Sequence, residues 1–400
     1  MTTSNSSAAA GNQPAIFACS ARSLNGTGGV GICTQEYVRT LGAAGFRLEV
    51  VTYETDMRLA VRLQRKLRPR PYAHRVPPTM VDNVVSAARR SGAEFVFLNL
   101  SDLAPVAAPL KRELGKNVKI VLLSHGLESV DYLHEIRANS AASVFDRVTG
   151  SNRATLARQL ISECTQRLFI DHVFCLAPFE AGVERWLGAR QVTWLPRTIP
   201  NVPLPWSPRP GRLGFVGCLD HPPNREGLAL FASALDDVAR GRVILRVVGG
   251  PPESAKDISR RFPSLIEYLG PLSDAELEAE ASTWNCFVNP LFCFARGCST
   301  KLATALGWRI PTITTSAGCR GYAWEQGILP TAETPRGLAE LALQMLDAGF
   351  RAAAQREVVR IAESAPSLAE VAAKVRDALV SRAAPGEGAV PGSENRVPRC

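Results

Sequence analysis

The chain has 400 residues, of which 46% are hydrophobic and 21% charged, and carries a formal net charge of +9. That length exceeds one average hydrophobic core, so two domains are expected, and the composition is that of a globular chain. No apolar run approaches the roughly 20 residues needed to span a bilayer. No basic–aromatic stacking pattern accompanies the charge, so nucleic acid is not an expected partner.

In chain order, residues 1–14 lack the basic start and apolar segment of a signal peptide and read as a disordered tail. Short apolar strands are expected over residues 15–19, 48–52, 94–100, 118–124 and 172–177, with helices between them, including 34–44 and 79–91. Continuous apolar strands alternating with helices predict a parallel sheet covered on both faces. Within this half, Gly26-Thr27-Gly28-Gly29-Val30-Gly31 follows the first strand and opens a helix. It reads either as a close approach for a phosphate or as a structural turn. As a dinucleotide fingerprint it is weak, because no acidic residue clearly ends the second strand.

Residues 58–75 concentrate basic side chains around Leu59, Leu63 and Leu67 at helical spacing. This is a basic amphipathic helix, suited to an anionic membrane surface or simply to solvent. His125, in Ser124-His125-Gly126-Leu127-Glu128-Ser129, is expected at the carboxyl end of a strand, where α/β proteins keep their sites. It is the candidate catalytic group, with capping of the next helix as the alternative. Glu128 and Asp131 are weaker candidates, since acidic residues suit a first helical turn anyway.

Residues 196–210 are proline-rich and cannot sustain a helix or central strand, which marks a linker. Strands then recur over 213–216, 243–248, 266–269, 286–291 and 311–315. The expected organisation is a first domain over 15–200, a linker over 201–211, a second domain over 212–365, a helix over 366–383 and a tail over 384–400. Pro222-Pro223-Asn224 suits a helix start with Asn224 as N-cap, and Arg225 supplies a cation beside it. Residues 295–300 form a loop of small residues around Gly297 that leads into a helix carrying Lys301 in its first turn. A helix N-terminus with a lysine there is either an anion site or an ordinary strand-to-helix turn with a solvated lysine. The ten cysteines include no C-x-x-C pair and suggest neither zinc nor a disulfide framework, so reducing cytoplasm is the expected compartment. Cys19, Cys175, Cys218 and Cys286 lie in apolar runs and read as small core residues.

Residues 289–322 resemble the donor-binding segment of GT-B glycosyltransferases, specifically the polysaccharide branch of the retaining family 4. That branch often reads P-L-x-F-G-G-G-T-R-L-K-I-L-E-A-M-A-x-G-K-P-V-V-S-T-S-x-G-A-E-G. Its prolines match Pro290 and Pro311, its lysine Lys301, and its closing glycines Gly318 and Gly321. Residues 215–227 resemble the branch's G-x-x-D-x-P-P-N-x-x-G, and residues 247–252 and 268–277 also fit. The family's E-x7-E pair, whose second glutamate holds the donor ribose, falls on Arg296 and Thr304, so neither carboxylate is present.

The resemblance implies an α/β GT-B fold, with two doubly wound Rossmann-like domains facing each other across a central cleft. The final helix would return to the first domain. It implies a hexosyltransferase that moves sugar from a UDP- or GDP-sugar to a glycan or lipid-linked acceptor. Retention and independence of metal are implied as well, and no cofactor is expected. The implied donor-binding residues are Gly28, Gly29, Gly217, Arg225, Leu269, Gly270, Arg296, Gly297, Ser299, Thr300, Lys301 and Thr304, with His125 near the transferred sugar. A cytoplasmic location, peripheral on the inner face of the membrane, is expected. The missing carboxylates leave a second reading, a catalytically degenerate GT-B protein acting as a binding or assembly partner. A GT-B sugar-nucleotide epimerase is a third, though it would want clustered carboxylates.

Overall fold

The computed structural model describes residues 12–26, 28–54, 76–139, 151–293 and 295–380. The basic stretch 58–75 and the tail 384–400 lie outside them. The chain forms two compact units, one of residues 1–195 with 368–387 and one built on residues 196–367.

The first unit holds β1 (Gln13–Ser20), β2 (Phe46–Tyr53), β3 (Phe95–Asn99), β4 (Lys119–Leu123), β5 (His172–Cys175) and β6 (Val192–Trp194). They pair in the order β2-β1-β3-β4-β5-β6, and every pairing is parallel. Between them run α1 (Ala21–Asn25), α2 (Gly29–Ala43), α3 (Thr79–Ser91), α4 (Ala107–Leu114), α5 (Glu128–Asn139), α6 (Ser151–Arg167) and α7 (Pro178–Trp186). All five residues of β3 are buried, which a sheet covered on both faces requires. The sequence pattern missed β6, a three-residue edge strand too short to show a period. It placed the first strand at residue 15, whereas β1 starts at Gln13, whose N–H donates to the Gly45 carbonyl. Near the start of α2 a Cβ on Gly31 would lie 1.8 Å from the Gly26 oxygen, so only glycine fits there.

The second unit holds β7 (Arg212–Val216), β8 (Ile244–Val248), β9 (Ile266–Gly270), β10 (Cys286–Asn289) and β11 (Thr312–Thr314) in the order β11-β10-β7-β8-β9. Its helices are α8 (Pro222–Ala239), α9 (Pro252–Arg261), α10 (Asp274–Ala281), α11 (Thr300–Gly307), α12 (Ser316–Cys319), α13 (Pro335–Gln344) and α14 (Ala348–Ser364). α15 (Leu368–Val380) belongs to the first unit. There Arg376 donates to the Ala43 carbonyl at 3.1 Å and Lys119 to the Leu379 carbonyl at 3.0 Å.

The proline-rich segment differs from the expected linker and from the expected domain end at residue 200. It groups with the second unit because its backbone is stapled along it: Arg197 N–H donates to Gly321, Val202 to Gly307, Leu204 to Trp308, Ser207 to Ser282 and Arg209 to Thr283. Proline removes donors, yet these five remaining N–H groups still find carbonyls of the second unit. The Trp206 indole also donates to the Trp284 carbonyl at 2.7 Å.

Trp284 is fully buried, and its indole donates to Glu280, which pairs with Arg246 through two contacts of 2.7 and 2.9 Å. A Cβ on Gly214 would sit 1.9 Å from the Trp284 ring, so β7 is shaped around this side chain. Trp284→Ala should therefore destabilise the second unit by about 3–5 kcal/mol, the range for losing a buried large aromatic. Urea unfolding followed in both proteins measures it.

Candidate functional site

In each sheet two adjacent strands lead on to opposite sides: β1 to β2 and β3 to β4 in the first, β7 to β8 and β10 to β11 in the second. Such a switch point opens a crevice at the carboxyl ends of the strands. In the second unit it lies between β7 and β10, and in the first between β1 and β3.

At the second unit's switch point, Lys301 projects from the first turn of α11. Its Nζ donates to Asn224 Oδ1 at 2.6 Å and lies 4.8 Å from the centre of the Phe215 ring. A Cβ on Gly217 would come within 3.3 Å of that Nζ, so the β7–α8 loop stays slim to let the ammonium in. Asn224 is therefore not the expected N-cap. His221 occupies that position, and Asn224 instead donates to the Cys218 carbonyl and receives Lys301. Cys218 is exposed in this loop, unlike the buried Cys19, Cys175 and Cys286, because β7 ends before it.

Arg320, just past α12, fixes the loop ahead of α11. Its Nε donates to the Gly297 carbonyl at 2.9 Å, Nη1 to Ala317 at 2.6 Å and Nη2 to Arg296 at 3.3 Å. Tyr322 braces the same helix end, accepting from Ala303 N–H at 3.0 Å and donating to the Ser299 carbonyl. Asn289, at the end of β10, accepts from Ser299 Oγ at 3.2 Å and donates to Thr314 Oγ1 at 3.0 Å. The N–H groups of Ser299, Thr300 and Lys301 make no hydrogen bond among the described residues. A braced helix end with unspent N–H groups beside a lysine is an anion cradle.

Its electrostatics are unbalanced. Arg320 is buried, and among the described residues no carboxylate pairs with it or with Lys301. Burial, then repulsion from Arg320, pushes Lys301 down to about 7, with Cys218 acting weakly the other way.

Other expected donor residues fall nearby or are spent. Gly249 N–H donates to the Gly270 carbonyl and Gly217 N–H to the Val248 carbonyl, so Gly217, Leu269 and Gly270 line the ends of β7 and β9. Gly249 has φ +126°, and a Cβ there would meet the Gly217 oxygen at 2.1 Å. Arg225 reaches only the Leu219 carbonyl of its own loop, at 3.5 Å. Thr304 Oγ1 faces the Thr300 carbonyl of its own helix, also at 3.5 Å. Pattern reading missed Arg320, although it stands between Gly318 and Gly321, where the quoted motif carries glutamate.

Gly28, Gly29 and His125 belong to the first unit. Gly28 is the N-cap of α2 and Gly29 its first residue. His125 follows β4, buried, with Nε2 2.9 Å from Asn99 Oδ1 and its ring 5.4 Å from that of Tyr37. The loop after it is anchored by buried Glu163, which accepts from Ser129 N–H at 3.3 Å and Oγ at 2.6 Å.

Residues 210–348 match the family model described as glycosyl transferases group 1. No curated protein matches the chain. Among solved structures it is similar to sucrose-phosphate synthase from Thermosynechococcus elongatus, at 15% identity and a TM-score of 0.65 over 91% of this chain and 97% of that one. HepE from Anabaena, in complex with UDP and glucose, gives 14% identity and 0.61 over 92% and 99%. WaaG, a glycosyltransferase involved in lipopolysaccharide biosynthesis, gives 14% and 0.57 over 92% and 100%.

The fold is GT-B.

A buried lysine pushed down to about 7 has a testable signature in stability. The folded protonation midpoint lies below the unfolded value of 10.5, so Lys301 costs stability fully below about 7 and not at all above 10.5. Lys301→Met should therefore stabilise the protein by about 1–3 kcal/mol at pH 6, with the gain shrinking as pH rises toward 10. Denaturant melts of both proteins across that range check the sign.

Proposed function

We propose that this protein is a glycosyltransferase that uses a nucleotide-sugar donor, UDP- or GDP-linked, with the donor diphosphate held by Lys301 and the N–H groups of Ser299, Thr300 and Lys301. The observation that carries this reading is the cationic cradle at the β7–β10 switch point, where Lys301 and Arg320 lack an acidic partner among the described residues. The group 1 match over the same unit and the UDP complex of HepE support it. In this reading, departure of the diphosphate is favoured by fixed donors aimed at the growing negative charge. That arrangement needs no metal ion. The acceptor is a glycan or a lipid-linked sugar, transfer proceeds with retention, and His125 faces the transferred sugar. Among the described residues no helix is long and apolar enough to cross a membrane, and an anionic membrane surface is the proposed docking place.

The missing carboxylates favour one other reading. With Arg296 and Thr304 at the E-x7-E positions, the site would bind nucleotide without turning it over. A thermal-shift panel of UDP-, GDP- and dTDP-sugars, followed by donor-hydrolysis assays with the one that binds, separates the two: stabilisation with turnover supports the enzyme, and stabilisation without it the binding protein.

Lys301→Ala should weaken donor binding by about 2–3 kcal/mol, as for a charge-assisted contact. Because the empty site holds Lys301 near a midpoint of about 7 and a diphosphate favours the ammonium, binding at pH 8 should take up a proton. Affinity should then fall as pH rises above 7, by at most tenfold per unit. Calorimetry in buffers of differing ionisation enthalpy reads the uptake, which should vanish in Lys301→Ala. Equal uptake in both proteins would remove Lys301 from the diphosphate site.

A further inference from the structure

Behind His125 in the first unit runs a chain of polar side chains without a carboxylate among its members. Thr34 Oγ1 donates to the Val30 carbonyl at 2.8 Å, within α2. Its oxygen therefore accepts, and it does so from Asn99 Nδ2 at 2.9 Å. With its amide nitrogen committed to Thr34, Asn99 turns its Oδ1 toward His125, 2.9 Å from Nε2. An amide oxygen only accepts, so Nε2 must carry the hydrogen. All three side chains are buried, Thr34 and Asn99 almost completely, so water does not compete for these bonds. The ring is also packed against Tyr37, whose hydroxyl donates to the Ser124 carbonyl at 3.2 Å.

Each partner comes from a different element at the first unit's switch point: Thr34 from α2, Asn99 from the last position of β3, and His125 from the residues after β4. A threonine and an asparagine buried at the carboxyl end of a sheet are expensive unless satisfied, and here each satisfies the other.

We infer that Thr34 and Asn99 are positioning residues that lock His125 in the Nε2–H tautomer, so that Nδ1, itself a buried atom, carries the lone pair and accepts from a substrate hydroxyl when bound substrate reaches it. The direction of the chain is set at its far end, by the helix carbonyl that Thr34 must serve. A neutral amide behind the imidazole orients the ring without the charge that a carboxylate would add, which suits accepting a hydroxyl hydrogen bond more than holding an imidazolium. Only the word substrate rests on the glycosyltransferase reading. The tautomer is a property of the fold.

The test reads the nitrogens directly. The chain has five histidines, so the His125 signals in 15N-histidine-labelled protein are assigned by their loss in His125→Gln. The unsubstituted protein should show a protonated Nε2 and an unprotonated Nδ1 at pH 8; the opposite pattern overturns the inference without any variant. Thr34→Val removes the acceptor that orients the amide and should allow a mixture of tautomers. Asn99→Asp places a carboxylate behind the ring and should raise the imidazole's titration midpoint by about one unit or more. It should move the acidic limb of the kcat/KM profile by the same amount, while the KM for UDP-sugar stays within about twofold. An unchanged titration in Asn99→Asp would overturn the positioning role even if the protein folds and binds. If no nucleotide-sugar binds any of these proteins while the tautomer is as stated, the functional reading fails and the positioning chain stands.

Discussion

The second unit is organised around a positive charge with no counter-charge among the described residues. Lys301 enters a slot between Phe215, Gly217 and Asn224, and Arg320 stands close enough to disfavour its protonation. A fold selected for stability alone would place a carboxylate there or leave the lysine in water. What surrounds the pair instead is a set of neutral braces. Asn289 is bonded to Thr314 and Ser299, Thr315 to the Leu291 carbonyl and Tyr322 to the Ser299 carbonyl, which holds these residues in place beside the cations. The strain is electrostatic, and an incoming anion would relieve it. Perturbed titration together with a specific charged neighbour in a switch-point crevice is the pattern that functional sites produce.

The first unit solves the opposite problem. Its switch point carries neutral polar groups whose donors and acceptors are matched in sequence, from Val30 through Thr34 and Asn99 to His125. Buried charge does occur in this unit, but away from that chain: Arg167 and Glu184 form a two-contact pair at 2.6 and 2.9 Å with neither side chain exposed. Such a pair is a costly way to gain stability and a sound way to fix the register of α6 against α7. α6 in turn carries Glu163, which holds the start of α5 and so the far side of the His125 loop. The ion pair thus belongs to the scaffold and the neutral chain to the site.

How much of this was legible in the sequence follows from what each signal encodes. Parallel strands buried on both faces advertise themselves as apolar runs, so ten of the strands could be placed within a few residues, while Val192–Trp194 is too short to carry a pattern. Lys301 was visible because a lysine at a helix start opposes the helix dipole and asks for a reason. Arg320 was not, since its role depends on carbonyls of residues 296, 297 and 317 that only the folded loop gathers. Asn224 was misjudged for a related cause. Asparagine after two prolines is a sound N-cap signal, but the first proline already fits the first helical position, and that moves the cap back to His221 and frees the amide for Lys301. The linker was misread because proline content reports missing donors and says nothing about where the remaining ones go.

The substitutions at the E-x7-E positions acquire a physical meaning once Arg320 is in view. Replacing carboxylates by arginine and threonine, and placing another arginine where the motif has glutamate, removes negative charge around Lys301 while adding positive charge. In a partly buried crevice these changes act in the same direction, because low dielectric lengthens the reach of each charge. In the proposed reading, a site with this charge balance would hold the diphosphate of a nucleotide more through charge and less through the hydroxyls of its ribose. Thr304 fits that account: its hydroxyl donates to its own helix and carries no charge to oppose the anion. The departures from the quoted motif thus fall around one lysine and shift the charge there in one direction.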